Sequence, residues 1–302
     1  MALWIPITFA AAFLQNLRTA LQRQIAESVD ATGATLARYL FGFPFAICYV
    51  AVLGGVDASG LPATNTGFFV NCAVGGAAQI LATVLLVASF SLRSFASATT
   101  YSKTEVIFTT FVSAVLLGEF VSLPALGGIL IAFAGVVVLS AKQGAGLWHT
   151  LVRGWRQRAA LYAIAAGALF GVSSACFRGG ALALDPDYGV FTRAGMVLAV
   201  TYTGQALTIA AYVLARRPGQ FTRVIALWRA ALPIGFTAVI GSCGWFTAVA
   251  MTNAAYVRAV GQVELIFSLL TSVLIFRERI SQMEIIGMAI TLVGILIVLL
   301  TR

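Results

Sequence analysis

The feature that most constrains this chain is a rhythm of apolar windows, each about as long as a bilayer crossing and each closed by a short run of breakers. The windows cover residues 3–24, 33–54, 67–90, 95–117, 122–141, 158–180, 188–214, 230–250, 254–276 and 281–301. A crossing helix needs about 20 mainly apolar residues, so ten such windows use up nearly all of the 302 residues. No length remains for a soluble catalytic domain. Only 10% of residues are charged, against roughly 25% in soluble domains, and the mean hydropathy is +0.97. Hydrocarbon offers no partner to an open backbone group, so runs of this length predict helices.

The two halves of the chain look duplicated. The run "EVIFTTFVSAVLLGEFVSLPALGGILIAFAG" lies over "ELIFSLLTSVLIFRERISQMEIIGMAITLVG" without a gap. Glu105 meets Glu264, Ser113 meets Ser272, Glu119 meets Glu278, Gly128 meets Gly287 and Gly135 meets Gly294. Rare acidic and glycine positions in Leu/Val/Ile-rich runs do not coincide in this way by chance. Earlier in the halves, at a slightly shorter offset, Arg38 pairs with Arg193. The expected organisation is a first five-helix repeat over 1–141, a basic interfacial connector over 142–157 and a second five-helix repeat over 158–302. Because five is odd, the second repeat enters the membrane from the opposite side. The fold expected is therefore all-α and integral to the membrane, with ten transmembrane helices as two inverted five-helix repeats, an architecture in which substrates bind near the midplane.

The net charge of +9 does not point to nucleic acid, because the cations fall in short connections rather than along one soluble face. Arg23, Arg93, Lys142, Arg153, Arg156, Arg158, Arg216, Arg217, Arg223, Arg277 and Arg279 all belong to connections after odd-numbered windows. By the positive-inside tendency these are cytoplasmic and both termini extracytoplasmic. Trp148 and Trp155 make the connector suited to the membrane interface. The opening "MALWIPITFAAAFLQNL" lacks a basic leader and a cleavage site and reads as the first span. Cys48, Cys72, Cys176 and Cys243 lie in separate apolar runs without CxxC spacing, which supports neither disulfides nor zinc. The single histidine, His149, falls in the basic connector, so no metal site and no cofactor is expected.

Charge inside a span costs at least about 2.5–3.5 kcal/mol on insertion scales, so such residues should face protein or water. Glu105 and Glu264 fall inside the fourth and ninth windows, far from the interfacial Glu119 and Glu278. Tyr101 precedes Glu105, and Arg258 precedes Gln262, by one helical turn, so each pair is expected on a shared face. With Lys103 these residues offer acceptors and donors fit for a zwitterion. Two readings stay open: they bind substrate or protons, or they pair with one another and with Arg38 and Arg193 to fix helix packing. Gln15, Asn16, Arg18 and Gln22 of the first window, Gln79 of the third, Tyr202 and Gln205 of the seventh, and Ser242 and Trp245 of the eighth line a cavity or bond across helices. The substrate-binding candidates are Gln15, Gln22, Gln79, Tyr101, Lys103, Glu105, Tyr202, Ser242, Trp245, Arg258, Gln262 and Glu264; no residue is assigned as catalytic. Gly75, Gly76, Gly241, Gly244 and the pairs Gly128/Gly135 and Gly287/Gly294 are expected to let helix backbones approach closely.

The endings "LLGEFVSLPALGGILIAFAGVVVL" and "IFRERISQMEIIGMAITLVGILIVLL" resemble the drug/metabolite transporter superfamily, EamA type, over essentially the whole chain. Gly118 and Glu119 match its GE box, whereas Arg277 and Glu278 depart from it at the glycine. Within that superfamily the chain is similar to YddG-like bacterial exporters of amino acids, aromatic ones especially. The resemblance implies a central cavity between helices 1, 3, 4, 6, 8 and 9 and efflux of amphipathic metabolites. It also bears on coupling, since helix 1 carries no acidic residue before Glu27 of the kind that small multidrug members use for proton exchange.

The function expected is secondary export of amino acids or related small metabolites by alternating access, from the bacterial inner membrane, by a chain for which a monomer suffices. Its partners are a small-molecule substrate and the lipid bilayer. The alternative is export of drugs, sugars or nucleoside-type metabolites. An ATP-binding GxxxxGK[ST] loop is absent, as are HExxH and GxSxG, so neither a primary pump nor an intramembrane enzyme is expected. A sensor holding a chromophore on Lys103 is disfavoured by the duplication.

Overall fold

In the computed structural model the described residues are 2–25, 28–56, 60–92, 101–139, 158–276 and 281–302. Their regular structure is helical throughout: α1 (Trp4–Ile25), α2 (Ala31–Val56), α3 (Thr66–Leu92), α4 (Glu105–Leu117), α5 (Leu123–Leu139), α6 (Arg158–Leu182), α7 (Val190–Arg216), α8 (Pro218–Ala226), α9 (Trp228–Met251), α10 (Ala254–Val260), α11 (Val263–Phe276) and α12 (Gln282–Thr301). Six stretches, Thr32–Gly55, Thr66–Leu86, Arg158–Leu182, Val190–Arg216, Trp228–Met251 and Gln282–Thr301, are long and apolar enough to cross a membrane. Glu105–Leu117 and Leu123–Val138 are shorter apolar helices. Large apolar side chains face outward, among them Phe111 and Val115 one turn apart at 66% and 65% exposure, as expected of a multi-pass membrane protein whose solvent is lipid.

The helices depart from the ten windows in two informative ways. The window 254–276 is not one helix: it divides into α10 and α11 at a turn over Gly261 and Gln262. The window 95–117 yields α4 only from Glu105 onward, after a turn over Lys103 and Thr104. In addition, α8 occupies part of what read as a loop, because Pro218 sits at its first position, where its fixed φ is preorganised for a helix. The connector 142–157 with His149, Trp148 and Trp155 lies outside the described residues, as do Glu27, Arg93, Arg277, Glu278 and Arg279.

Packing divides the chain into two compact units, residues 1–77 with 176–252 and residues 78–175 with 253–302. Each draws helices from both halves of the sequence, and the chain passes from one unit to the other inside α3 and inside α6. In the first unit α1 packs on α9, where a Cβ on Gly244 would stand 2.8 Å from the Ala11 Cβ. α2 packs on α9 through Gly235, whose Cβ would stand 2.6 Å from the Phe41 carbonyl oxygen. The start of α3 meets the end of α6, with Gly75 against Phe177 and Cys176, and Phe177 stacks on Phe246 of α9 at 4.3 Å. Both α3 and α9 run unbroken through their glycines, which serve close approach here. Arg178 of α6 caps the end of α9, donating to the carbonyls of Val249 at 2.8 Å and Ala250 at 3.3 Å.

In the second unit α5 and α12 meet backbone to backbone. A Cβ on Gly128 would stand 2.9 Å from the Gly294 carbonyl oxygen, and one on Gly135 would stand 2.8 Å from that of Gly287. The glycines that coincide between the halves thus form the closest contact of this unit, the small-residue interface on which membrane helices rely. Val106, Ile129, Ala255, Ala259 and Val298 form a buried apolar cluster from α4, α5, α10 and α12. α4 stops at Gly118, whose φ of +66° is one that side chains avoid and glycine adopts freely. Its N–H closes on the Ala114 carbonyl at 3.1 Å, so the first GE box is a helix stop.

Candidate functional site

The two turns that interrupt the expected fourth and ninth spans fall in the same stretch of the two repeats, just ahead of the paired glutamates. At both, backbone bonds tighten from i→i−4 to i→i−3. The N–H groups of Thr104, Val106 and Ile107 donate to the carbonyls of Tyr101, Lys103 and Thr104 at 3.3, 3.4 and 3.0 Å. Those of Gln262, Glu264 and Leu265 donate to Ala259, Gly261 and Gln262 at 3.2, 3.0 and 3.0 Å. Such tight turns within a longer helical run mark hinges and functional sites. Against the first of them, α6 presents Gly167 and Gly171: a Cβ on Gly167 would stand 2.8 Å from the Ser102 carbonyl oxygen, and one on Gly171 would stand 2.8 Å from the Thr109 nitrogen.

Each interruption starts a helix with a carboxylate in its first turn, Glu105 in α4 and Glu264 in α11, where the helix dipole favours negative charge. The cations answer crosswise. Lys103 Nζ stands 3.5 Å from Glu264 Oε2, and Arg258 Nη1 stands 3.9 Å from Glu105 Oε1. Each half's carboxylate is therefore paired with a cation from the other half. Arg258 Nε also donates to Ser174 Oγ of α6 at 2.6 Å, and Ser174 Oγ donates to the Phe170 carbonyl at 3.0 Å. The charged side chains are 12–21% exposed, and both pairs are longer than the ~2.7–2.9 Å of a tight charge-assisted bond. Two cations and two carboxylates, formally neutral together, offer a small dipolar molecule partners for both of its charges.

The structure thus gathers Lys103, Glu105, Arg258 and Glu264 into one cluster of the second unit. Gln262 adjoins them, buried, with its Nε2 donating to the Arg258 carbonyl at 3.4 Å. Tyr101 packs its ring on Ala160, Ala163 and Ile164 of α6. The expected shared faces of Tyr101 with Glu105 and of Arg258 with Gln262 assumed continuous helices, and the turns intervene in both. Gln79 is half-buried on the part of α3 that belongs to this unit. The remaining candidates lie in the first unit. Tyr202 and Ser242 share a hydrogen bond at 3.1 Å, Gln22 donates to the Ala34 carbonyl at 3.3 Å, Gln15 is half-buried on α1, and Trp245 is buried on α9. Sequence reading missed Ser174, Gly167 and Gly171. The spacing of the two glycines, one turn apart in "AAGALFGV", was a usable signal, whereas a lone serine carried none.

A sequence model of the EamA-like transporter family matches residues 2–141 and 157–300. A crystal structure of a protein that is 19% identical in sequence aligns over 100% of this chain and 97% of its own, with a TM-score of 0.69; at that identity the likeness is one of fold. No curated protein matches the sequence.

Proposed function

The chain belongs to the EamA-like transporter family, and on that premise we propose that it exports amino acids, aromatic ones included, or related small zwitterionic metabolites. Transport is secondary and proceeds by alternating access through a central midplane cavity of two inverted five-helix repeats, residues 1–141 and 158–302, ten spans in all. The observation that carries the substrate class is the crosswise pairing of Lys103 with Glu264 and Arg258 with Glu105 at the two interrupted helices. A zwitterion brings one charge for each type of partner and can replace either loose pair without leaving a buried charge uncompensated. Discontinuous helices at matching places in two repeats are where transporters of this construction hold substrates and coupling ions. The tight turns ahead of Glu105 and Glu264 are the hinges expected for a change between outward and inward forms. The protein resides in the bacterial inner membrane with extracytoplasmic termini.

The test is exchange of labelled amino acids, aromatic, aliphatic, basic and acidic, by the purified protein in liposomes, with and without a pH gradient. Selective exchange of neutral amino acids supports the reading, and its dependence on the gradient decides proton coupling. Inserted, folded protein that exchanges none of them refutes it and favours drugs, sugars or nucleosides as the cargo.

A further inference from the structure

The first unit holds a second polar cluster that ion pairing does not explain. Arg38 lies on α2, within the stretch Thr32–Gly55 apolar enough to span the membrane, and a guanidinium does not shed its charge on burial. Its partners are neutral. Its Cζ stands 4.8 Å from the centroid of the Tyr39 ring, and it hydrogen-bonds Tyr202. The Tyr202 hydroxyl is in turn fixed by Ser242 at 3.1 Å, and the Tyr39 and Tyr202 rings meet edge to face at 5.3 Å. Among the described residues no carboxylate is found acting on Arg38, while Arg18 of α1 adds a second positive charge that acts on Tyr39.

Two donors in this cluster are left open. Arg38 Nε and the Tyr39 hydroxyl are both buried with no hydrogen-bond partner among the described residues, and Tyr39 is only 1% exposed. Buried donors are ordinarily satisfied, and an unneutralised cation beside them selects an acceptor that carries negative charge. A planar carboxylate fits: one oxygen accepts from the guanidinium edge, a geometry Arg favours, and the other from the phenol.

We propose that Arg38 and Tyr39 form an oxyanion site within the first unit that takes the carboxylate of a small organic acid, with Tyr202 and Ser242 holding Arg38 in place. The proposal does not rest on the transport reading, because its ligand needs no amino group and its residues are not those of the charged cluster around Glu105 and Glu264.

Calorimetric titration of the purified full chain with benzoate, acetate and inorganic phosphate tests it, alongside thermal unfolding of each variant. The expected result is saturable binding of benzoate and acetate, weakened about 10-fold or more in Arg38→Gln, as the loss of a charged hydrogen bond requires. Arg38→Lys retains part of the binding. Tyr39→Phe, which removes one oxygen and keeps the ring, loses about 3-fold or more while unfolding like the wild type, and it decides the matter if Arg38→Gln does not fold. Arg229→Gln, which removes an exposed cation of α9, leaves benzoate binding unchanged. The proposal is overturned if no carboxylate binds the wild type, if Tyr39→Phe binds as the wild type does, or if Arg38→Gln folds and binds as the wild type does. Arg38-dependent binding of phosphate without binding of carboxylates overturns the assigned ligand class. Failure of amino-acid exchange with carboxylate binding intact refutes the transport reading and leaves this site standing.

Discussion

Neutralising the Lys103–Glu264 pair one member at a time, and then both together, separates a substrate-binding charge from a structural one. At 3.5 Å two unit charges attract by ~5 kcal/mol at an effective dielectric of about 20. The Arg258–Glu105 pair at 3.9 Å gains ~4 kcal/mol on the same scale. Both figures are gross, before desolvation. Side chains only 13% and 21% exposed lose much of their water, so removing one member strands the other at a cost of about 3–5 kcal/mol, whereas removing both returns most of that cost. Lys103→Gln and Glu264→Gln are therefore each expected to lower the thermal unfolding midpoint in detergent and to stop amino-acid exchange in liposomes. The double variant is expected to recover stability to within ~1 kcal/mol of the wild type, because two neutral amides can bond each other, and to remain inactive, because the partners for the substrate's charges are gone. A double variant that recovers stability and transport together would falsify the binding role and leave these charges as packing devices.

Further substitutions test the framework around the site. Gly294→Ala places a Cβ 2.6 Å from the Ala132 Cα and should cost about 1–3 kcal/mol by forcing α5 and α12 apart. Gly127→Ala on α5 meets nothing within 4 Å and should be neutral or stabilising by up to ~1 kcal/mol; thermal unfolding of the two side by side checks the interface. Gly118→Ala forces a side chain into φ +66° and should cost about 1–2 kcal/mol, with Gly118→Asn falling between Ala and the wild type in the same measurement. Asn253→Ala removes the cap of α10, a 2.8 Å bond from the Ala255 N–H, and the 3.2 Å bond to the Glu119 carbonyl. The expected loss is about 1–2 kcal/mol, read as faster amide exchange over residues 254–260.

That the apolar windows are helical and suited to a membrane was legible because they are long and lipid gives their backbone no other choice. The glycine pairs were legible because rare residues coincided between the halves, and Gly128, Gly135, Gly287 and Gly294 do meet backbone to backbone. The frame of Glu105 and Glu264 also pointed to the stretches where the charged side chains pair. Hydrophobic periodicity did not reveal the turns before them. Val260 and Val263 continue the apolar run on both sides of the second turn, Val106 and Ile107 resume it soon after the first, and Gly261 is one glycine among 29. A tight turn of three bonds leaves no gap in hydropathy. The crosswise choice of partners was likewise invisible, because it depends on which helices share a packing unit, and Ser174 enters only through its place on α6 beside Arg258. The short α8 was missed because its nine residues are too few to show a period against the basic residues around them.

The composition of the packing units bears on how the protein is made. Residues 1–77 pack with 176–252, and residues 78–175 with 253–302, so a ribosome that has delivered only the first half of the chain has completed neither unit. α5 must wait in the bilayer for α12 of the other half of the chain before Gly128 and Gly135 find the backbone they are shaped to meet. Glu105 waits with it for Arg258, and Lys103 for Glu264, so charged residues enter the membrane well before their partners are synthesised. Through that interval the insertion machinery, water or lipid headgroups must shelter them. A truncated product ending in the connector would carry exposed glycine faces and unpaired charges together, which marks it for degradation rather than for partial function.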